Sequence, residues 1–161
     1  MRGTRKVFSM GAAGLLIGAG VLLGGGGADA APATVAQCSG GANGFTDIPD
    51  SFQGTVVEGE SVSNSQGDFA SIEQEVGTVN GAQQGFGRIS TNGASGIAFG
   101  FWMDVTNDGG STWIQCGPFG ASGVQTRTTA AYPTNTNPNR KFRVCGSVSG
   151  AGSNIQCLSW W

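Results

Sequence analysis

Ile97-Ala-Phe-Gly-Phe-Trp-Met-Asp-Val105 is the stretch that decides the fold class. In an extended chain Ile97, Phe99, Phe101, Met103 and Val105 share one side, and Ala98, Gly100, Trp102 and Asp104 share the other. A period of two over nine residues marks a β-strand with one buried face. The apolar set is expected to face a core. The other set is expected to face solvent, which singles out Trp102.

The strand runs into Thr106-Asn-Asp108-Gly-Gly110-Ser-Thr112-Trp113, which fits the Asp-box pattern S/T-x-D-x-G-x-T-W at every defined position. Such a box resembles a hairpin turn. Its Asp carboxylate accepts backbone N–H bonds across the turn, glycine supplies a positive φ, and the Trp packs beneath. Thr106, Asp108, Gly110, Thr112 and Trp113 are therefore read as structural. Asp boxes recur in sialidase-like propellers and occur singly in other secreted folds. One copy is too few for a propeller, whose blades need about 40 residues each. A calcium reading competes for the same stretch, because Asp104, Thr106, Asp108 and Gly109 take the first, third, fifth and sixth positions of an EF-hand-type loop. Gln115 stands where that loop needs a bidentate Glu, and the flanks read as strands. The turn reading is preferred, and neither a metal nor another cofactor is expected.

Strand signals continue on both sides. Gln53 to Val62 holds Val56-Val57 between glycines. Phe69 to Val79 has helical spacing at Phe69, Ile72, Val76 and Val79, but Gly77 and the neighbouring Gly/Asn turns favour a strand with a bulge. Gly85 to Ser90 reads as a short strand before a turn at Thr91-Asn92-Gly93. Beyond the box, Thr112 to Phe119 is the return strand and Val124 to Ala130 another strand. Tyr132 to Asn139 is a Pro/Asn/Thr loop, and Lys141 to Val148 with Asn154 to Trp161 is a closing hairpin. The expected fold is all-β, a small antiparallel sandwich or barrel-like domain.

Upstream, Arg2, Arg5 and Lys6 precede an apolar run from Val7 to Leu23, and Ala28-Asp29-Ala30 supplies a small-x-small cleavage pattern. Residues 1–30 are read as a secretory signal peptide. The run is short and glycine-diluted for a membrane span, which needs about 20 mostly apolar residues. Thr4-Arg5-Lys6-Val7-Phe8 loosely fits a twin-arginine signal, so both export routes stay open. Residues 31–44 read as a flexible lead-in tied down at Cys38, and 45–161 as one domain. The expected location is extracellular, with no membrane association after cleavage.

Export places Cys38, Cys116, Cys145 and Cys157 in oxidising surroundings. Their spacing matches no zinc motif, and the sequence has no histidine. Two disulfides are expected, with three pairings possible. Cys145–Cys157 across the closing hairpin, with Cys38–Cys116, is favoured; Cys116–Cys145 with Cys38–Cys157 stays open. Beyond residue 30, five bases face nine acids, a net charge of −4. That balance lacks the broad basic surface that nucleic acid requires. Arg140-Lys141-x-Arg143, the one basic cluster, reads as a solvated strand end.

Without histidine, His-based triads, general bases and metal ligands drop out. No cysteine is expected to be free as a nucleophile. The carboxylate pairs Glu58/Glu60, Glu73/Glu75 and Asp104/Asp108 leave a small hydrolase as the trailing alternative. No catalytic residue is assigned. Trp102, Tyr132, Trp160 and Trp161 are candidate platforms for sugar rings; Trp160 and Trp161 point to opposite faces if the final strand is regular, leaving at most one of them for the core. The expected partner is an extracellular glycan or protein. A protease inhibitor or surface component, presenting the loop from Tyr132 to Pro138, is the alternative.

Asp108-Gly-Gly-x-Thr-Trp113-Ile-Gln-Cys116-Gly-Pro-Phe119, Phe142-Arg-Val-Cys145-Gly and Cys157-Leu-Ser-Trp160-Trp161 together resemble a pattern shared by small secreted actinobacterial proteins. The resemblance spans residues 97–161. It implies secretion and brings no catalytic or cofactor residues.

Overall fold

The computed structural model describes residues 33–93 and 96–161, so the leader read over residues 1–30 lies outside the described residues. In chain order the strands are β1 (Thr55–Ser63), β2 (Phe69–Val79), β3 (Ala82–Asn92), β4 (Ala98–Thr106), β5 (Ile114–Ser122), β6 (Val124–Thr128), β7 (Tyr132–Pro133), β8 (Lys141–Val148) and β9 (Ile155–Cys157). One antiparallel sheet has the order β1-β2-β3-β6, with β7 also on β3; the other has the order β5-β4-β8-β9. Ile72 and Ile89 of the first sheet join Phe99, Phe101, Met103, Val105 and Val144 of the second in one buried cluster. The apolar side of β4 is thus the core side, as its alternation requires.

Glycines let the sheets approach closely. A Cβ on Gly85 would touch the Phe142 ring at 3.4 Å, and one on Gly87 would lie 3.0 Å from the Val144 methyls. Across the same interface, a Cβ on Gly146 would stand 2.7 Å from Ile72 Cγ2. Large side chains on one sheet therefore meet glycines on the other, and the two layers interdigitate.

Residues 69–79 form a strand, and its pairing with β3 runs without a break from Ala70↔Thr91 to Val79↔Ala82. The bulge expected there lies in β1, between Val56 and Glu58. Asn80 and Gly81 close the hairpin with φ of 52° and 80°, the left-handed pair that a two-residue turn demands. That tight turn carries β3 well beyond the short strand expected from Gly85 to Ser90.

The lead-in is not a loose tether over its described part. Thr34 and Gln37 form a reciprocal capping box on a one-turn helix, Val35–Ser39. Ala33 pairs with β5 through Ala33 N–H to Gln115 O (2.8 Å) and Gly117 N–H to Ala33 O (3.1 Å). Cys38 is disulfide-bonded to Cys116 on the same strand. Residues 45–54 then cross the outer face of the first sheet, where Ile48 and Phe52 cover Phe86 in a second, smaller core. Arg88 Nη1 donates to Phe52 O at 2.7 Å, and Gly54 N–H donates to Glu75 Oε2 at 2.6 Å. No helix among the described residues is long and apolar enough to cross a membrane.

Both favoured disulfides are present, Cys38–Cys116 with a sequence separation of 78 and Cys145–Cys157 with one of 12. Loop-closure entropy makes the first worth about 4.5 kcal/mol and the second about 3 kcal/mol. Paired Cys→Ala variants should therefore lower urea-unfolding stability in that order. Equal losses would show that chain entropy does not set the ranking.

Candidate functional site

On the outer face of the second sheet, antiparallel register sets Asp104 of β4 opposite Arg143 of β8, and Trp102 opposite Cys145. Arg143 Nη2 and Nε donate to Asp104 Oδ2 at 2.6 and 3.2 Å. The guanidinium also lies over two indoles, 4.4 Å from the Trp160 ring centroid and 5.2 Å from that of Trp113. A planar, delocalised cation suits this position better than an ammonium, because it can stack on rings while bonding a carboxylate. Arg143 is therefore not the solvated strand end its sequence neighbourhood suggests. Asp104 is 1 % exposed, and its Oδ1 has no hydrogen-bond partner among the described residues. Burial pushes its pKa up, against the opposing pull of Arg143. Cys145 Sγ lies 4.0 Å from Oδ2 but is held in a disulfide and has no proton to donate.

Residues 106–113 form the turn that covers one end of this stack. Asp108 Oδ1 accepts from Thr112 N–H (2.9 Å) and from the Thr106 hydroxyl (2.6 Å), and Oδ2 accepts from the Thr112 hydroxyl (2.7 Å). Thr106 Oγ1 in turn accepts from Gly110 N–H at 3.0 Å. Hydrogen bonds to the charged form, led by Thr106 and then Thr112, hold the Asp108 carboxyl well below the usual carboxylate range. Gly110 has φ of +104°, and a Cβ there would sit 3.0 Å from Trp160 Nε1, so the turn rests on that indole. Trp113 does not pack beneath the turn. It is 44 % exposed and tilted against Trp160, with ring centroids 6.1 Å apart.

Each of the three residues of the calcium reading has a side-chain oxygen engaged by a protein partner. Asp104 faces Arg143, while Thr106 and Asp108 bond within their own turn. Two other acids from the carboxylate pairs are similarly engaged. Glu58 accepts from Ser159 N–H and Oγ at 2.9 and 3.1 Å, and Glu75 is buried against Gly54 and Arg88. Among the aromatic candidates, Trp102 is half-buried where β4 passes an irregularity in β5, and a Cβ on Gly117 would approach its Cβ to 2.8 Å. Tyr132 is no surface platform, because it packs edge-on against Phe45 at 4.9 Å within the core. Trp160 and Trp161 diverge, the first onto Arg143 and the second onto Phe142.

Trp161 opens onto a groove of about 480 Å³ between β8 and the loop after β7. That volume is within the range of small-ligand sites. The ring is 43 % exposed and lies 6.1 Å from Phe142, which backs it. Gln83, Asn135 and Asn137 stand around it with Arg140 and Lys141. The loop is pinned rather than loose. Thr134 N–H donates to Gln83 O (3.1 Å), and Asn135 and Asn137 accept from the N–H groups of Asn137 and Asn139 at 2.8 and 3.0 Å. Arg140 Nε reaches Asn107 Oδ1 at 2.7 Å, joining this loop to the 106–113 turn. A larger concavity of about 680 Å³ beside Gly100 and Ser147 has no charged side chain in its lining.

No family model matches this chain, and neither a curated protein nor a solved structure matches it. Its chemistry is therefore read from its own side chains. Sequence reasoning had Trp161 but missed Asn135, Asn137, Arg140 and Lys141 as its neighbours. Their one signal was that the basic cluster directly follows the Asn/Pro loop.

Replacing Arg143 with Ala strands a buried carboxylate and is expected to cost about 3 kcal/mol or more, measured by urea unfolding at pH 7. Asp108→Asn tests the turn. A depressed carboxyl stabilises the fold above its ordinary pKa of 3.8, and that contribution is lost as pH falls through the folded value. The Tm gap between the native protein and Asp108→Asn should accordingly be full at pH 6 and shrink on acidification below pH 3.8.

Proposed function

We propose that this protein is a secreted, non-catalytic binding module that takes a glycan in the groove beside Trp161. The observation that carries this reading is the pairing of a half-exposed indole, backed by Phe142, with amide side chains on the same rim. Sugar rings present apolar C–H faces that stack on aromatics and hydroxyls that bond to amides, so both kinds of group are needed together. The groove is bordered by a loop tied to sheet hydrogen bonds, which limits the ordering cost of binding.

Secretion is supported by the leader pattern over residues 1–30 and by two disulfides in a chain of 161 residues. The Asp-box reading of residues 106–113 is supported by the bonds that Asp108 accepts from Thr112 and Thr106. In this scheme the box is a brace, coupled to the groove loop through Asn107 and Arg140. The non-catalytic reading draws on the lack of histidine and on the engagement of Glu58, Glu75 and Asp104 in bonds to the chain.

Co-sedimentation with cellulose, chitin, polygalacturonate and purified bacterial cell walls tests the proposal. At least one polymer should retain the protein. Trp161→Ala should weaken that retention about tenfold, the loss expected for one stacked aromatic. Trp102→Ala, on the opposite face of the second sheet, should bind as the native protein does. Retention of none of the polymers, or equal retention of Trp161→Ala, would overturn the reading.

A further inference from the structure

Beyond residue 30 the sequence carries five Arg and Lys residues. Three have carboxylate partners: Arg88 with Glu75, Arg127 with Asp50, and Arg143 with Asp104. Among the described residues, no carboxylate of an Asp or Glu lies within 4 Å of the other two, Arg140 and Lys141. Both of these line the Trp161 groove, and no Asp or Glu lines it with them. In a protein whose acids outnumber its bases, the cations left without a counter-charge are thus gathered at one concavity.

The neutral side chains there have the same bias. Asn135 Oδ1 and Asn137 Oδ1 each accept a backbone N–H of their own loop. A backbone donor requires an acceptor, so this fixes the amide orientation and turns each Nδ2 away from those bonds. Neither Nδ2 has a protein partner among the described residues. The rim therefore offers mainly donors. Arg140 is held by Asn107 Oδ1 and stands 5.3 Å from the Tyr132 ring centroid, so its charge has a defined position. The Lys141 ammonium makes no hydrogen bond among the described residues, which leaves it available.

We infer that the saccharide bound in this groove is acidic, carrying a carboxylate or sulfate that Lys141 and Arg140 recognise while Trp161 stacks on its ring. This rests on the glycan reading above. An anionic group would meet two cations and several donors with no Asp or Glu side chain in the lining, and charge-assisted hydrogen bonds are the stronger kind. Attraction of this type weakens as salt screens it.

The test is calorimetric titration of the full secreted protein at low salt with trigalacturonate, its methyl ester, a neutral cello-oligosaccharide and the sulfated form of that oligosaccharide. At least one acidic form should bind about tenfold or more tighter than its neutral counterpart. Lys141→Gln should remove most of that preference without changing the Tm. Equal binding of acidic and neutral forms, or a preference that survives Lys141→Gln, would overturn the inference while leaving the glycan reading in place. Binding of no saccharide at all would overturn both.

Discussion

The contact between Gly146 and Ile72 sets how closely the two sheets approach, because any side chain at position 146 would collide with the isoleucine at 2.7 Å. Gly85 and Gly87 serve the same interface from the other sheet, opposite Phe142 and Val144. Strand β8 consequently has its inner face committed to packing. Everything distinctive about its outer face follows from that commitment. With Phe142, Val144 and Val148 turned inward, alternation turns Arg143 and Cys145 outward.

The outward side of β8 is nevertheless substantially covered. Arg143 is capped by two indoles and bonded to a buried carboxylate, and Cys145 is stapled to Cys157. A carboxylate as deeply buried as Asp104 is costly by itself, and the guanidinium offsets much of that cost through geometry that only Arg provides. The residual expense shows at Oδ1, which has no partner among the described residues, and in a pKa pushed up by burial. Trp113 and Trp160 then extend apolar cover over the ion pair, and the Asp108 turn rests on Trp160 through Gly110. This face is spent on holding the hairpin, the disulfide and the last residues of the chain together.

The groove is different because its polar groups are not mutually satisfied. Arg140 precedes β8 and Lys141 opens it, where the loop after β7 folds back over Gln83. The bond between Arg140 and Asn107 couples the rim to the braced turn, so stability built on one side of β8 fixes geometry on the other. Trp161 reaches this site because the residues after β9 keep pairing with β8, through reciprocal backbone bonds between Phe142 and Trp161 of 3.0 and 3.1 Å.

Alternation from Ile97 to Val105, the Asp108-Gly-Gly turn and the positions of four cysteines were legible from the sequence, because each depends on neighbours a few residues away or on redox chemistry. Phe69 to Val79 reads as a strand despite its helical spacing, and pairing with β3 through the Asn80-Gly81 turn makes it one. The bulge expected there lies in β1, because strand register, not local glycine, decides where it falls. The sequence by itself determined that this is an all-β, disulfide-stapled chain with exposed-aromatic potential. Only tertiary structure decided which aromatics are buried, that Arg143 is an internal cation while Lys141 is free, and that residues 33–54 wrap the sandwich. Those outcomes depend on which side chains from distant strands meet, and burial and charge pairing are properties of that meeting, not of any residue alone.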